Sequence, residues 1–422
     1  MKHRQLWLCP LFALLCFPVW AFGDEKFEFK DGDRVVLIGN TLIEREQRYG
    51  YWETAITARY PDRNITFRNL GWSGDTVFGD AQAGFGMAED GFKRGTASDG
   101  FKHLKEHVFA LKPTVIIAGY GGVEAFKGEK GLAEFVDQFN TLLDALAPTK
   151  ARMVLVSPTP MERLAPPLPD PTVQNKNLRL YAEAIGKVAE KRQCFFVDFY
   201  SSLRMYLKEK PYLQEKTPPA LTDEGLHLTG YGYWVSTVYL EDSVNQSYYR
   251  KIELDMDGKV QESRGVKLEQ IKTSPLRFRA LDTQLPRCPF PTDSPKGSSA
   301  YLNERTVTVN NLGEGTYVLN VDGIQIAKAH CGSSLKWEVD LIRSPEFDQV
   351  EKLRQTIIEK NRLYFHRWRP QNDTYLFGFR KQEQGQNARE IPQFDPLIEE
   401  KEKEIAKLRV PVPHTYELVP SK

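Results

Sequence analysis

The 422-residue chain is 41% hydrophobic and 27% charged, enough apolar content for one large core with one or two satellites. Its 57 Lys and Arg residues stand against 56 Asp and Glu, a formal net charge of +1. That balance argues against a nucleic-acid footprint or a polybasic membrane anchor, and directs attention to a neutral or small ligand rather than a polyanion.

Lys2 and Arg4 precede an apolar run from Leu6 to Trp20, and Val19-Trp20-Ala21 and Ala21-Phe22-Gly23 offer the small residues a signal peptidase needs. The run is too short to span a bilayer stably. Residues 1–23 therefore read as a signal peptide, with the mature protein starting near Asp24 in a secreted or periplasmic setting. Of five cysteines, Cys9 and Cys16 leave with the leader. Cys194, in the apolar run Cys194-Phe195-Phe196-Val197, reads as a core residue. Cys288 and Cys331 flank a β-rich stretch and, in an oxidising compartment, are candidates for a disulfide. No Cys/His spacing suggests a zinc site.

Between residues 24 and 250, short apolar runs alternate with helix-length segments. The runs are Arg34–Gly39, Ile65–Leu70, Thr114–Ala118, Met153–Val156 and Cys194–Val197, each followed closely by Gly, Ser or Asp. Helical segments such as Leu132–Leu146 and Asn175–Lys191 lie between them. The expected fold class is α/β: a five-stranded parallel sheet with helices on both faces. Residues 251–343 read as a β-rich module or insertion, with strands near Val307–Val309, Tyr317–Val321 and Leu335–Val339 and a Pro/Ser-rich loop at Pro286–Ser299. Residues 344–422 read as a helical segment: one helix is capped by Ser344 and Pro345, and a second opens at Asp395-Pro396.

Ligands of parallel sheets bind at the carboxyl ends of the strands. Four post-strand loops carry polar or glycine-rich signals there: Gly39-Asn40-Thr41, Asn69 to Thr76, Gly121-Gly122-Val123-Glu124, and Asp223-Glu224-Gly225-Leu226-His227. Taken singly, each has a plainer reading. A Gly-Asn-Thr turn is a common helix cap, a Gly-Gly pair is a sharp turn, and a lone His is more often structural than catalytic. Their order and shared sheet edge make the set specific.

In these four blocks the chain resembles the SGNH (GDSL-type) lipases and acylhydrolases, a resemblance covering about Phe27 to Asn245. It implies a flavodoxin-like three-layer sandwich and an ester hydrolase needing no cofactor or metal. Thr41 then occupies the nucleophile position, His227 that of the general base, and Gly74 that of an oxyanion-hole donor. The active site diverges from the family pattern. Thr41 replaces Ser, and its extra methyl crowds the attacking oxygen. Asn40 replaces Asp, a mild change. Val123, after Gly122, replaces the Asn whose side chain completes the oxyanion hole; losing such a donor costs roughly 10²–10³ in rate. Glu224 stands where the family has the triad Asp, with Asp223 beside it as the alternative acid.

Two functions follow. One is an exported hydrolase of a small acyl ester, with O-acetyl groups on carbohydrate as the substrate suggested by relatives. The other is an inactive SGNH-fold protein that binds a glycan or a partner, as Thr41, Val123 and the long C-terminal extension would allow. Outside the four blocks, Tyr231, Tyr233 and Trp234 read as packing residues, residues 80–100 as a mobile loop beside the site, and Phe365 to Arg369 as a docking segment for the C-terminus or a platform for a sugar or carboxylate.

Overall fold

Five runs of β-branched and aliphatic residues form one all-parallel sheet in a computed structural model that describes residues 27–83, 85–88, 91–209, 219–244, 249–289, 291, 305–341, 343–370, 373–376, 380, 382–383 and 387–421. The strands are β1 (Arg34–Gly39), β2 (Thr66–Asn69), β3 (Val115–Gly119), β4 (Arg152–Val156) and β5 (Phe195–Val197), in the order β2-β1-β3-β4-β5. Intervening helices are α1 (Thr41–Tyr49), α2 (Tyr51–Arg59), α3 (Ala97–Ala110), α4 (Leu132–Leu146), α5 (Thr172–Arg192), α6 (Phe199–Glu209) and α7 (Gly230–Ser243).

Strand alternation sorts the core into two layers. Val35, Leu37 and Ile117 share one apolar cluster with Ile43 of α1, Trp52 of α2 and Tyr233 of α7. Val36, Ile38 and Ile116 face the other way, into a cluster with Leu104 of α3, Phe135 of α4 and Ile185 of α5. Both faces are thus covered, which is why these strands read as continuous apolar runs. Tyr231, Tyr233 and Trp234 are buried in the first layer. The stretch expected as a loop at 80–100 contains a 3-10 turn (Asp80–Gln82), an antiparallel ribbon of Phe85–Ala88 with Gly91–Arg94, and the capped start of α3.

Beyond the sandwich come β6 (Arg250–Asp255), β7 (Val260–Arg264), β8 (Val266–Thr273), β9 (Leu276–Asp282), β10 (Arg305–Asn310), β11 (Gly315–Val321), β12 (Ile324–Cys331) and β13 (Lys336–Asp340). Helices α8 (Pro345–Trp368) and α9 (Phe394–Leu408) follow, then a last strand, β14 (His414–Pro420). The strands make two sheets, β7-β6-β10-β13 and β8-β9-β14-β11-β12, whose inner faces share one core around Ile252, Phe278, Trp337 and Tyr416. The segment read as helical therefore ends in a strand inserted between β9 and β11, so the two C-terminal regions close on each other.

The expected disulfide does not form. Cys288 and Cys331 are both free: Cys331 is buried in the β-module core, whereas Cys288 packs against the sandwich and the α8 cluster. Cys194 is half-buried rather than fully enclosed. No helix among the described residues is long and apolar enough to cross a membrane. The signal peptide expected at 1–23 and most of the Pro/Ser-rich stretch lie outside the described residues.

Four buried charges join α8 to the β-module. Arg250 pairs with Asp282 at 3.0 Å, Arg305 with Asp282 at 2.5 Å and Arg305 with Glu346 at 3.0 Å, and Tyr416 Oη donates to Glu346 at 2.5 Å. Burial works against the Glu346 charge, but Arg305 and Arg250 outweigh it and hold the carboxyl at about 2. Removing one member leaves the others buried and uncompensated. Glu346→Gln is expected to cost roughly 3–5 kcal/mol of unfolding free energy, measured by urea denaturation. A loss below about 1 kcal/mol, the scale of an exposed pair, would contradict this role.

Candidate active site

Four loops converge at the carboxyl edge of the sheet, and the first is fixed by a close backbone approach. Gly39 ends β1 at φ 148°, and a Cβ there would lie 2.2 Å from Gly119 O at the end of β3. Only glycine permits that spacing. Asn40 N–H donates to Gly119 O (3.2 Å), and the Asn40 side chain accepts the Leu42 N–H (3.1 Å) as N-cap of α1. Asn in place of Asp thus keeps the capping role. Thr41 opens the helix, and its hydroxyl accepts the Gly74 N–H at 3.2 Å.

The second loop is pinned to the first. Trp72 N–H donates to Gly39 O (2.9 Å), and Asn69 Nδ2 donates to Ile43 O (2.6 Å). Ser73 N–H donates to the Glu44 carboxylate at 2.7 Å, and Arg369 Nη1 donates to the same oxygen at 2.8 Å. The Arg369 guanidinium also lies 3.4 Å from the centre of the Trp72 ring, a cation–π contact. The end of α8 therefore clamps the loop that carries Gly74. Of the two readings for Phe365 to Arg369, docking is the one the contacts bear out.

The third loop carries Glu124, whose buried carboxylate accepts N–H groups from both Val77 and Gly121 at 2.9 Å. Burial pushes this carboxyl up to about 7, and likewise nearby Asp75 up to about 6. Val123 lines the site with an apolar surface, so position 123 supplies no side-chain donor.

The fourth loop is a short ribbon, Thr222–Asp223 against His227–Leu228. Leu226 N–H closes the turn onto Asp223 O (3.0 Å), with Glu224 and Gly225 both left-handed at φ 54° and 80°. That is the backbone of a type I′ turn, which places its central residues at the tip. Both carboxylates are exposed, but Asp223 is the direct cross-strand partner of His227, whereas Glu224 sits at the tip. The placement favours Asp223 over Glu224 as the acid beside the imidazole. Asp223 is already engaged, with Arg45 Nη2 3.3 Å from its Oδ2. Burial, and then the Arg45 charge, lower the His227 pKa below 6.5, with Asp223 and Glu224 opposing.

Thr41, Asn40, Gly122, Val123 and His227 line one cavity of about 90 Å³, together with Arg45, Phe126 and Tyr233. Gly74 meets it through the Thr41 hydroxyl, whereas Asp223 and Glu224 stand outside its lining. The volume is well below the roughly 300–1,000 Å³ of sites for drug-sized ligands. Arg45 and Glu44 are the residues the motifs did not point to. Their signal was spacing: three and four residues after Thr41, they share its face of α1.

Residues 32–235 match the GDSL-like Lipase/Acylhydrolase family, and the chain carries a domain of that family. A comparison with curated proteins gives no match. Among solved structures, BT4096, a gut microbial diltiazem-metabolizing enzyme, aligns over 93% of this chain and 99% of its own, at 15% identity and TM-score 0.70. That likeness extends the shared fold through the β-module and C-terminal helices. The hydrolase LAE5 from the metagenome of Lake Arreo, Spain, aligns over 51% of this chain and 97% of its own (20% identity, TM-score 0.39). A catalytic mutant of Axe2, an acetylxylan esterase from Geobacillus stearothermophilus, aligns over 52% and 98% (18% identity, TM-score 0.40).

Because its pKa is lowered, His227 stays neutral, and so able to accept a proton, at pH values where an ordinary histidine is charged. NMR titration is expected to place His227 below 6.5 and to show an upward move in Arg45→Met, which removes the opposing cation and frees Asp223. An unchanged value in the variant would show that Arg45 does not act on the imidazole.

Proposed function

We propose that this chain is an exported hydrolase of short-chain acyl esters, with O-acetyl groups on carbohydrate as its substrate class. The reading rests chiefly on one juxtaposition: a hydroxyl already in contact with the Gly74 N–H shares a small cavity with a half-buried histidine of lowered pKa. Thr41 Oγ attacks the acyl carbonyl while His227 takes its proton. The oxyanion forms against the N–H groups of Thr41 and Gly74. Collapse transfers the acyl group to Thr41 and the proton from His227 to the leaving alcohol, and water then releases the acid by the reverse sequence. Asp223, across the ribbon from His227, stabilises the imidazolium. The 90 Å³ cavity favours acetyl over long acyl chains. Lys2, Arg4 and the apolar run to Trp20 support work outside the cytoplasm.

The competing reading, a binding protein that has lost turnover, is favoured by two observations. Val123 leaves the oxyanion hole without a side-chain donor, and Arg45 occupies the acid.

Purified protein is expected to hydrolyse p-nitrophenyl acetate, with Thr41→Ala and His227→Ala both reduced to background. Val123→Asn combined with Thr41→Ser is expected to raise the rate about tenfold or more, by restoring a donor worth roughly 10²–10³ elsewhere. Equal turnover in the wild type and both alanine variants would remove the hydrolase reading.

A further inference from the structure

Next to the catalytic cavity lies a second, much larger cleft of about 890 Å³, and its walls are basic. Arg163 comes from the loop after β4, Lys176 and Arg179 from α5, and Arg204 and Lys208 from α6. The spacings Lys176/Arg179 and Arg204/Lys208 put each pair on one helix face, so both helices direct cations at the same space.

The nearby carboxylates pair with only two of these five cations. Glu162 is buried and accepts from Thr222 N–H and Oγ, both at 3.0 Å. Asp170 is held by the Arg163 fork at 2.6 and 2.9 Å, and Glu183 lies 3.5 Å from Arg179. Among the described residues, Lys176, Arg204 and Lys208 have no carboxylate within 4.0 Å. Three like charges around one cleft, none paired with a carboxylate among the described residues, repel one another, and an anion entering it relieves that repulsion. The near-neutral whole-chain charge hides this concentration, because it is an average over the chain.

The cleft and the catalytic cavity share walls. In the loop after β4, Pro158 and Thr159 line the cavity, while Met161 to Arg163 line the cleft. In α5, Leu178 faces the cavity and Lys176 the cleft. Glu162 N–H donates to Gly225 O at 2.9 Å, tying the dividing wall to the turn that precedes His227.

We propose that the cleft is an anionic subsite, binding a carboxylate or sulfate group on the alcohol portion of the ester, so that the substrate is an acylated acidic carbohydrate. The proposal builds on the hydrolase reading, but its binding step is independent of turnover. Arginine supplies a planar fork that fits either anion, and the lysines add point charges. With three cations unpaired among the described residues, the site suits one or two charged groups rather than a long polyanion.

The test measures binding to the full-length Thr41→Ala protein by calorimetry, using tetragalacturonate, a sulfated disaccharide, a neutral xylotetraose and a short RNA duplex. Tetragalacturonate or the sulfated disaccharide should bind at least tenfold more tightly than xylotetraose and weaken with added salt. Which of the two binds identifies the anion. Lys176→Ser with Arg204→Ser should remove that preference, and Arg204→Glu alone should weaken it. On the otherwise wild-type protein, the double variant should leave p-nitrophenyl acetate turnover unchanged and raise KM for an acetylated digalacturonate at least tenfold. Equal binding of neutral and anionic sugars, undiminished anion binding in the variants, or a preference for the RNA duplex would each overturn the proposal. Anion binding that is lost in the variants, in a protein whose wild type cleaves no ester, would retain the subsite and reject only the hydrolase.

Discussion

The geometry of the site depends on one close contact, the approach of Gly39 to Gly119 where β1 and β3 end side by side. Parallel pairing in register brings these residues together, and a side chain on Gly39 would lie 2.2 Å from Gly119 O. With no Cβ in the way, Asn40 reaches back to Gly119 O, caps α1 and fixes Thr41 as its first residue. The same edge carries the Gly121–Glu124 loop, and Glu124 then bridges that loop to Val77. The alignment of Thr41, Gly74 and Val123 is thus a consequence of strand register.

A second layer of control comes from far along the chain. Arg369 follows α8, yet it grips Trp72 and shares Glu44 with Ser73 N–H, one residue before the Gly74 N–H. The α8 helix in turn is tied through Glu346 to Arg305 and to Tyr416 of the last strand. The extension beyond the sandwich, which an esterase does not need for its chemistry, is therefore a structural support for the loop that carries Gly74. The fold shared with BT4096 over 93% of this chain spans that extension.

Most of the α/β domain was legible in the sequence. All five strands of the parallel sheet fall within a residue or two of the apolar runs, because buried parallel strands carry uninterrupted apolar sequence, and Leu132–Leu146 was read with the bounds it has. Thr41, Gly122, Val123 and His227 could be brought to one cavity from motif order alone. The β-module was only partly legible. Strands such as Val260–Arg264 are exposed along most of their length and carry alternating charge, so they lack an apolar signature. The pairing of β14 with β9 and β11 was hidden because it joins segments more than 90 residues apart. The choice between Asp223 and Glu224 needed the turn: a left-handed Glu224 is not visible in composition. The Arg45 contact likewise depends on where a ribbon folds back over α1.

The central claim is that Thr41 attacks with His227 as its base, and covalent trapping tests it most directly. Incubation with a small fluorophosphonate, followed by intact-mass and peptide mass spectrometry, should place a single adduct on Thr41. His227→Ala should abolish the labelling, and Thr41→Ser should accelerate it. An unlabelled Thr41 in folded protein, or an adduct on another residue that persists in Thr41→Ala, would contradict the account.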